Sequence, residues 1–443
     1  MKNSVKRLLA LVLTCAMLSV CALAADFTGR ADELYELGLF KGTGTDADGR
    51  PVYNLEAAPT RAEAVTMLVR LLGKEAEALE GTWEVPFTDL GGANAWALPY
   101  VGYAYANKLT NGESDTLFGT NNRCSAQMYC TLVLRALGYS DAAEGDFAYS
   151  KALDFAAEKG LLDAYLTQGE FLRDQVAAVS YAALVTPLKG GDTLLVDKLV
   201  ADGAVKAEAA KALTDKAALY AEYLALNEKI NAANKNQSVD MTMNMNMVMN
   251  AAGVEVPMTM KMREQMRLVD SQIEMAAVAE VTAMGQVQKI ETYVTDGYMY
   301  TNDGVNKVKA PFTAAESLPM DQLNQAAASP LYFIDSISKT EADGKTSYTV
   351  TLSGSLLTSM TGMLSGVVGQ NLDNMTLGNV TMTMIYQGQT LSGMTMHLPM
   401  SMTAEGQTIA ITADMEATIH AMGDGVVVTF PSDLGTYVEA AAE

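Results

Sequence analysis

The chain has 443 residues, 49% of them hydrophobic, and a formal net charge of −22 at pH 7. That acidic balance excludes a nucleic-acid partner, because binding phosphates needs a basic surface. Four cysteines in this length give no disulfide framework, so the fold relies on burial, and the length predicts two or three domains.

Residues 1–24 read as an export signal. Lys2, Lys6 and Arg7 precede an apolar run from Leu8 to Val20, and Ala22-Leu23-Ala24 is a small-x-small cleavage site. The run is shorter than a bilayer span, and no later stretch reaches that length, so the processed chain carries no predicted transmembrane segment. Leu18-Ser19-Val20-Cys21 resembles a lipoprotein box with an oversized residue before Cys21, which leaves lipidation there as the alternative. Cleavage removes three cations and no acid, taking the charge from −22 to −25. Cys124 and Cys130 remain; six residues apart across a helix start, they face different directions and are expected to stay unpaired.

The N-terminal half is organised around residues 59–73, which open Pro59-Thr60-Arg61-Ala62-Glu63 and close on Gly73. Thr60 and Glu63 form a capping box, positions 64, 65, 68, 69, 71 and 72 give an apolar face, and Gly73 is placed to end the helix. Arg61 puts a cation at the positive end of the macrodipole, an arrangement that reads as half of an anion pocket at the helix start. A degraded copy runs from Ser125 to Gly138, with Arg135 under Arg70, and a third runs from Leu172 to Leu184 with Arg173 in the place of Arg61. Each copy follows a second helix-like stretch with a shared ending: Glu36 to Gly42, Ala106 to Gly112, and Glu158 to Leu162. Units of this size cannot bury a core singly, so the three are expected to pack together. Between Thr43 and Asn54 lies an insertion whose acidic pair, Asp46 and Asp48, lacks the ligand set of a calcium loop and reads as a solvated turn.

These residues resemble the S-layer homology repeat, marked by Phe-x-Asp, Trp-Ala, and a second helix opened by Thr-Arg-Ala-Glu. The second copy supplies Phe87-Thr88-Asp89 and Trp96-Ala97, and the first supplies Thr60 to Glu63. The resemblance covers 26–75, 85–140 and 141–187, and implies an all-α triplet, a pseudo-threefold helical unit whose grooves hold secondary cell-wall polysaccharide bearing pyruvate ketals. It assigns polysaccharide-binding roles to Arg61 and Arg173, which would pair with the ketal carboxylate, and to Trp96, Asp89 and Gly112. Ala126 stands where the second copy should carry its arginine, and Leu172 occupies the third copy's capping position, so at most two of three grooves match the pattern.

Residues 191–235 are rich in alanine, leucine, lysine and glutamate at helical spacing and form a predicted connector of about two helices. Composition then changes. Of the 28 methionines, 24 lie at or after position 241, and Met241, Met243, Met245, Met247 and Met249 alternate strictly with other residues, which puts all five on one face of a strand. Similar alternation spans 256–262, 273–281, 347–352, 380–386, 393–402 and 409–419, with turn signals at Ala252-Gly253, Asp296-Gly297, Gly388 and Glu405-Gly406. Two helical inserts are predicted, 314–337 and 356–372. The predicted 236–443 domain is therefore α+β, with a large curved antiparallel sheet. That pattern, with Tyr-Val-Thr-Asp-Gly-Tyr-Met-Tyr at 293–300, resembles the LolA/LppX-type lipoprotein carriers, which implies an apolar concave face for a lipid or other amphiphile.

Three readings of the methionines stand open: core filler, a deformable amphiphile pocket, and thioether ligands for copper(I). No enzyme signature is found. His397 and His420 have no nucleophile motif beside them, no phosphate loop or zinc motif is present, and neither a catalytic residue, a metal site nor a cofactor is predicted. The expected protein is a secreted, non-catalytic surface protein held to the wall by its repeats; a surface copper binder or a wall-glycan enzyme with an unrecognised site are the alternatives.

Overall fold

A computed structural model describes residues 26–162, 169–234, 238–251, 253–269, 272–312, 330–359, 375–404 and 407–439. The predicted export signal and Cys21 lie outside them. Contacts divide the chain into an N-terminal unit that reaches Ala218 and includes Pro330–Tyr332, and a C-terminal unit from Leu219 onward. The division falls inside the predicted connector, whose first helix belongs to the N-terminal unit.

That unit is helical. It contains α1 (Thr28–Glu36), a short hairpin of β1 (Gly44–Thr45) and β2 (Pro51–Val52), α2 (Arg61–Leu71), α3 (Glu75–Glu80), α4 (Leu98–Ala106), α5 (Ala126–Ala136), α6 (Ala152–Glu158), α7 (Arg173–Leu184) and α8 (Leu195–Ala201). The predicted solvated turn is the β1–β2 loop, where Asp46 Oδ1 accepts from the Asp48 and Arg50 amides. The corresponding helices of the three sequence copies, α2, α5 and α7, each pack on the other two. Ala62, Val65 and Leu68 of α2, Tyr129, Leu132 and Val133 of α5, and Val176, Val179 and Ala183 of α7 are all buried. Burying such side chains contributes roughly 1.5–3 kcal/mol for each large one, which single repeats cannot reach alone. Tyr129 Oη and Ser180 Oγ meet at 2.7 Å inside this bundle.

Capping follows the sequence. Thr60 Oγ1 accepts from the Glu63 amide and Glu63 Oε2 accepts from the Thr60 amide at 2.7 Å, completing the box. Ser125 caps α5, accepting from the Met128 amide. At α7 only half the box exists: Gln175 Oε1 accepts from the Leu172 amide, and Leu172 has no acceptor to return. Cys124 and Cys130 are free and buried, as expected, and burial pushes both thiols up to about 12.

Asp174, in the first turn of α7, is 7% exposed and accepts from the Phe27 amide at 2.9 Å. Burial pushes its carboxyl up to about 7 despite that bond. A folded-state value above the ordinary 3.9 means that folding favours the protonated form, so stability falls as pH rises from about 4 to about 7. Asp174→Asn keeps an acceptor for Phe27 and is expected to raise stability by about 2 kcal/mol at pH 8 while flattening that slope. Denaturant unfolding at pH 5 and 8 measures it, and a variant less stable than wild type at pH 8 contradicts the assignment.

Helix α9 (Ala207–Ala233) runs through the boundary between the units. The C-terminal unit is built on a 13-stranded sheet of β3 (Val239–Ala251), β4 (Val254–Val269), β5 (Gln272–Ala283), β6 (Gln286–Thr295), β7 (Tyr298–Asn302), β8 (Lys307–Pro311), β9 (Ile334–Ala342), β10 (Lys345–Leu352), β11 (Met375–Leu377), β12 (Val380–Gln387), β13 (Thr390–Ala404), β14 (Gln407–Met422) and β15 (Val438–Glu439). Two antiparallel series, β3 to β8 and β9-β10-β12-β13-β14, join where β14 pairs with β3; the short β11 pairs with β13 off this path, and only the short β15 is parallel, on β8. All six predicted alternating stretches are strands. The type I′-like turn at Asp296 and Gly297, with φ of 53° and 74°, and Gly388 close hairpins as predicted; Ala252 and Glu405-Gly406 lie outside the described residues.

Of the helical inserts, Gly354–Ser359 is helix α10, and the rest of that insert, with most of the first, lies outside the described residues. The first insert ends before its expected limit of 337, since residues 334–337 open strand β9. Ile334 and Ile337, three apart, are both buried on the sheet's inner face, because a bulge opposite Thr351 and Leu352 brings them onto one side and breaks the alternation that would have marked a strand. On the outer face, Tyr293 and Tyr300 are covered by Val428 and Tyr437 of the C-terminal segment, which forms a second small core.

Candidate functional site

Two helix starts in the N-terminal unit are built alike. At α2, the Arg61 and Ala62 amides donate to the carbonyls of Asn122 (2.8 Å) and Thr120 (3.3 Å). At α7, the Arg173 and Asp174 amides donate to Ala57 (2.9 Å) and Leu55 (3.0 Å). Arg61 Nε donates to the Phe118 carbonyl at 2.9 Å and Arg173 Nε to the Tyr53 carbonyl at 2.8 Å. Phe118, Thr120 and Asn122 stand 65 residues after Tyr53, Leu55 and Ala57, the shift that carries Thr60 to Ser125. Each arginine thus reaches out of its own copy onto the equivalent loop of another, and each lies over an aromatic ring, Phe118 at 5.0 Å and Phe40 at 5.6 Å.

This geometry corrects the reading of the helix start as an open anion site. Its first-turn amides are satisfied by loop carbonyls, so only the outer edge of each guanidinium is left for a ligand. The two edges differ. Arg61 donates on to Met128 Sδ (3.1 Å) and the Asn111 carbonyl (3.3 Å), and Glu113 stands 3.5 Å from its Nε. Arg173 is 7% exposed, and among the described residues its Nη groups make no hydrogen bond and no ion pair. Burial lowers its pKa, yet a guanidinium keeps its charge at neutral pH.

Arg61 lines a cleft of about 450 Å³ with Asn111, Gly112, Glu113, Arg135 and Tyr149. Arg135 holds Asp141 with two parallel bonds of 2.7 Å and keeps that carboxyl below the usual range. Gly112 is there for space: a Cβ would come within 2.4 Å of Phe87 Cε1 and of the Ser114 carbonyl oxygen. Gly112→Ala is therefore expected to displace the cleft wall and destabilise the unit by about 1–3 kcal/mol, measured by thermal unfolding; an unshifted midpoint contradicts the packing.

The other expected site residues fall differently. Asp89 is not aimed at the cleft. Its carboxylate accepts from the amides of Phe118, Gly119 and Thr120 at 2.8–2.9 Å and from Thr120 Oγ1 at 2.9 Å, clamping the loop whose Phe118 carbonyl holds Arg61. Burial would raise its pKa, but the bonds from Thr120 and Phe118 outweigh that and hold it at about 2. Trp96, in a 3₁₀ turn (Gly92–Ala97), is 48% exposed and does not line the cleft. The structure thus gathers Arg61 and Gly112, places Asp89 behind them, and leaves Trp96 and Arg173 elsewhere on the unit. Arg135, Glu113 and Tyr149 escaped the sequence reading. The alignment of Arg135 with Arg70 was the available signal, because both arginines hold a nearby carboxylate, Glu75 in the case of Arg70.

In the C-terminal unit the methionines form cross-strand rungs. Met260, Met245, Met415, Met396 and Met382 are direct neighbours across β4, β3, β14, β13 and β12. The first three are at most 5% exposed, and Met396 and Met382 are half-buried. At the far end, α9 covers the same face: Tyr223 packs 5.7 Å from Tyr348, and Asn227 Oδ1 accepts from Tyr386 at 2.8 Å. The opposite face is polar, with Asn244, Asn246 and Glu416, and with His397 Nδ1 2.6 Å from Asp414. Among the described residues no cluster of three or more histidine, cysteine or acidic side chains could hold a metal, and no helix is long and apolar enough to cross a membrane.

Comparison with known proteins gives two family matches. Residues 86–125 match the S-layer homology domain, and residues 224–434 match a family of unknown function, DUF6612. A cell surface protein of Thermoanaerobacter kivui is 30% identical over 189 residues, 42% of this chain and 24% of that protein. The middle cell wall protein of Brevibacillus brevis is 29% identical over 121 residues, 27% and 11% of the two chains. This chain spans a quarter or less of those relatives' length. Among solved structures, LprF from Mycobacterium bovis aligns with 47% of this chain and 96% of its own at 13% identity, with a TM-score of 0.27.

Proposed function

Because the chain carries an S-layer homology domain, we propose that its N-terminal unit anchors it non-covalently to a cell wall by binding an anionic wall polysaccharide, with pyruvate ketals as the acidic groups. The observation that carries this reading is the repeated mounting of Arg61 and Arg173. Both guanidinium groups are fixed through Nε to an equivalent carbonyl and backed by an aromatic ring. A planar two-donor Nη edge matches a carboxylate; that of Arg173 has no partner among the described residues, whereas on Arg61 the ligand would displace the bonds to Met128 Sδ and the Asn111 carbonyl. The Arg61 cleft has room for a sugar residue beside the charge, and Tyr149 lines it with a further donor, while Arg135 is held by Asp141 and the Leu109 carbonyl. Local pockets of this kind hold an anion against the unfavourable field of a chain at −22. Calorimetric titration of the full chain with a glycoside bearing a 4,6-linked pyruvate ketal, and with the unmodified glycoside, tests the chemistry. Binding of the ketal alone supports it; equal binding of both, or of neither, rejects it.

The C-terminal unit is proposed to receive an amphiphile on its methionine face. Flexible thioether side chains adapt to varied alkyl shapes, and the half-buried methionines of β12 and β13 leave part of that face open. The same rungs favour a second reading, copper(I) held by neighbouring thioethers. Titration with 1-dodecanol and with copper(I) separates them: stoichiometric copper binding that methionine-to-leucine changes abolish, with no uptake of the alcohol, overturns the amphiphile reading.

A further inference from the structure

The inner face of β4 reads Met258, Met260, Met262, Glu264, Met266, with an unbroken register to both neighbouring strands. Glu264 therefore stands on the methionine face, where its direct neighbours are Met241 on β3 and Ala277 on β5. Among the described residues it makes no hydrogen bond and no ion pair. The strand's cations cannot serve it. Lys261, Arg263 and Arg267 alternate onto the opposite face, where Arg263 holds Asp240 and Arg267 holds Glu274. A carboxylate kept only for solubility belongs on that other face; here burial disfavours its charge and pushes its pKa up.

Its surroundings have room. Ala277 and Ala279 on β5 present short side chains beside the carboxylate, and Met241, Glu264, Met266 and Ala277 are all only partly buried, so the patch is open where the neighbouring rungs are closed. The neighbouring rungs are almost fully buried, so an alkyl tail entering here would have to part these flexible methionines, and its head would then rest against a single acidic group. We propose that Glu264 is the head-group contact of this face and selects a cationic amphiphile, one with an ammonium head and an alkyl body. This rests on the amphiphile reading above and specifies its ligand class. Charge complementarity selects the head: an ammonium supplies the missing counter-charge and the donors together, an alcohol supplies only a donor, and a carboxylate adds a like charge.

The test is calorimetric titration of the full chain with three ligands of equal tail below their micelle concentrations: dodecylammonium, 1-dodecanol and dodecanoate. Wild type is expected to bind dodecylammonium at least 10-fold more tightly than dodecanol and dodecanoate most weakly. Glu264→Gln is expected to bring the amine and the alcohol within threefold of each other while leaving alcohol affinity unchanged. Glu264→Ala serves as the second variant, and circular dichroism checks that both stay folded. Equal affinity for amine and alcohol in wild type, or an amine preference that survives Glu264→Gln, overturns the head-group assignment while the amphiphile reading stands. Binding of none of the three overturns both.

Discussion

Replacing Arg173 by glutamine is expected to weaken retention on wall material by about 10- to 100-fold, the value of one charge-assisted contact worth about 1.5–3 kcal/mol. Arg61→Gln should cost less, because Glu113 and the Asn111 carbonyl already share its guanidinium, whereas the Nη groups of Arg173 have no partner among the described residues. The double variant should lose retention almost entirely, since two contacts made by one chain act through their combined occupancy. Glutamine keeps much of the stem that packs on Phe118 and Phe40, and unfolding curves separate lost binding from lost fold. Undiminished retention of a folded double variant rejects carboxylate pairing by these arginines.

Asp89→Ala is expected to be the most destabilising single change in the N-terminal unit. It removes one acceptor group from three backbone amides and a hydroxyl. Leaving those donors unpaired costs about 3–5 kcal/mol, which lowers the unfolding midpoint by roughly 10 °C for a unit of this size. The clamp also carries a pH signature. Its folded-state pKa of about 2 lies below the ordinary value, so its contribution is present above about pH 4 and is lost as pH falls from 4 to 2. The variant should lack that acid limb. Because the clamped loop presents the Phe118 carbonyl to Arg61, wall retention should fall as well, at temperatures where the variant remains folded. A midpoint within 2 °C of wild type would remove Asp89 from this role.

Much of this fold was legible because it is written in periods. Thr60 with Glu63 gave the start of α2 and Gly73 its end, and the strict alternation from Met241 to Met249 gave β3 and its face. The pairing of β14 with β3 was not legible, because alternation fixes which face a residue takes and carries no information about which distant strand lies beside it. At the site, Arg61 and Arg173 were visible as an odd cation repeated at helix starts. What held them was hidden: the acceptors are backbone carbonyls of Phe118 and Tyr53, and a backbone acceptor leaves no residue-type signal. Asp89 was picked as a contact and proved to be a loop clamp, since a carboxylate in a loop looks the same in sequence whether it faces a ligand or its own backbone amides. Glu264 was passed over because the window around it is methionine-rich, although its even position placed it on the methionine face.

The most direct test of wall anchoring is co-sedimentation of the purified full chain with native wall sacculi and with sacculi stripped of their secondary polysaccharide, at physiological salt. Retention by the native sacculi alone is the predicted result. Equal retention by both, or by neither, would contradict anchoring through that polymer.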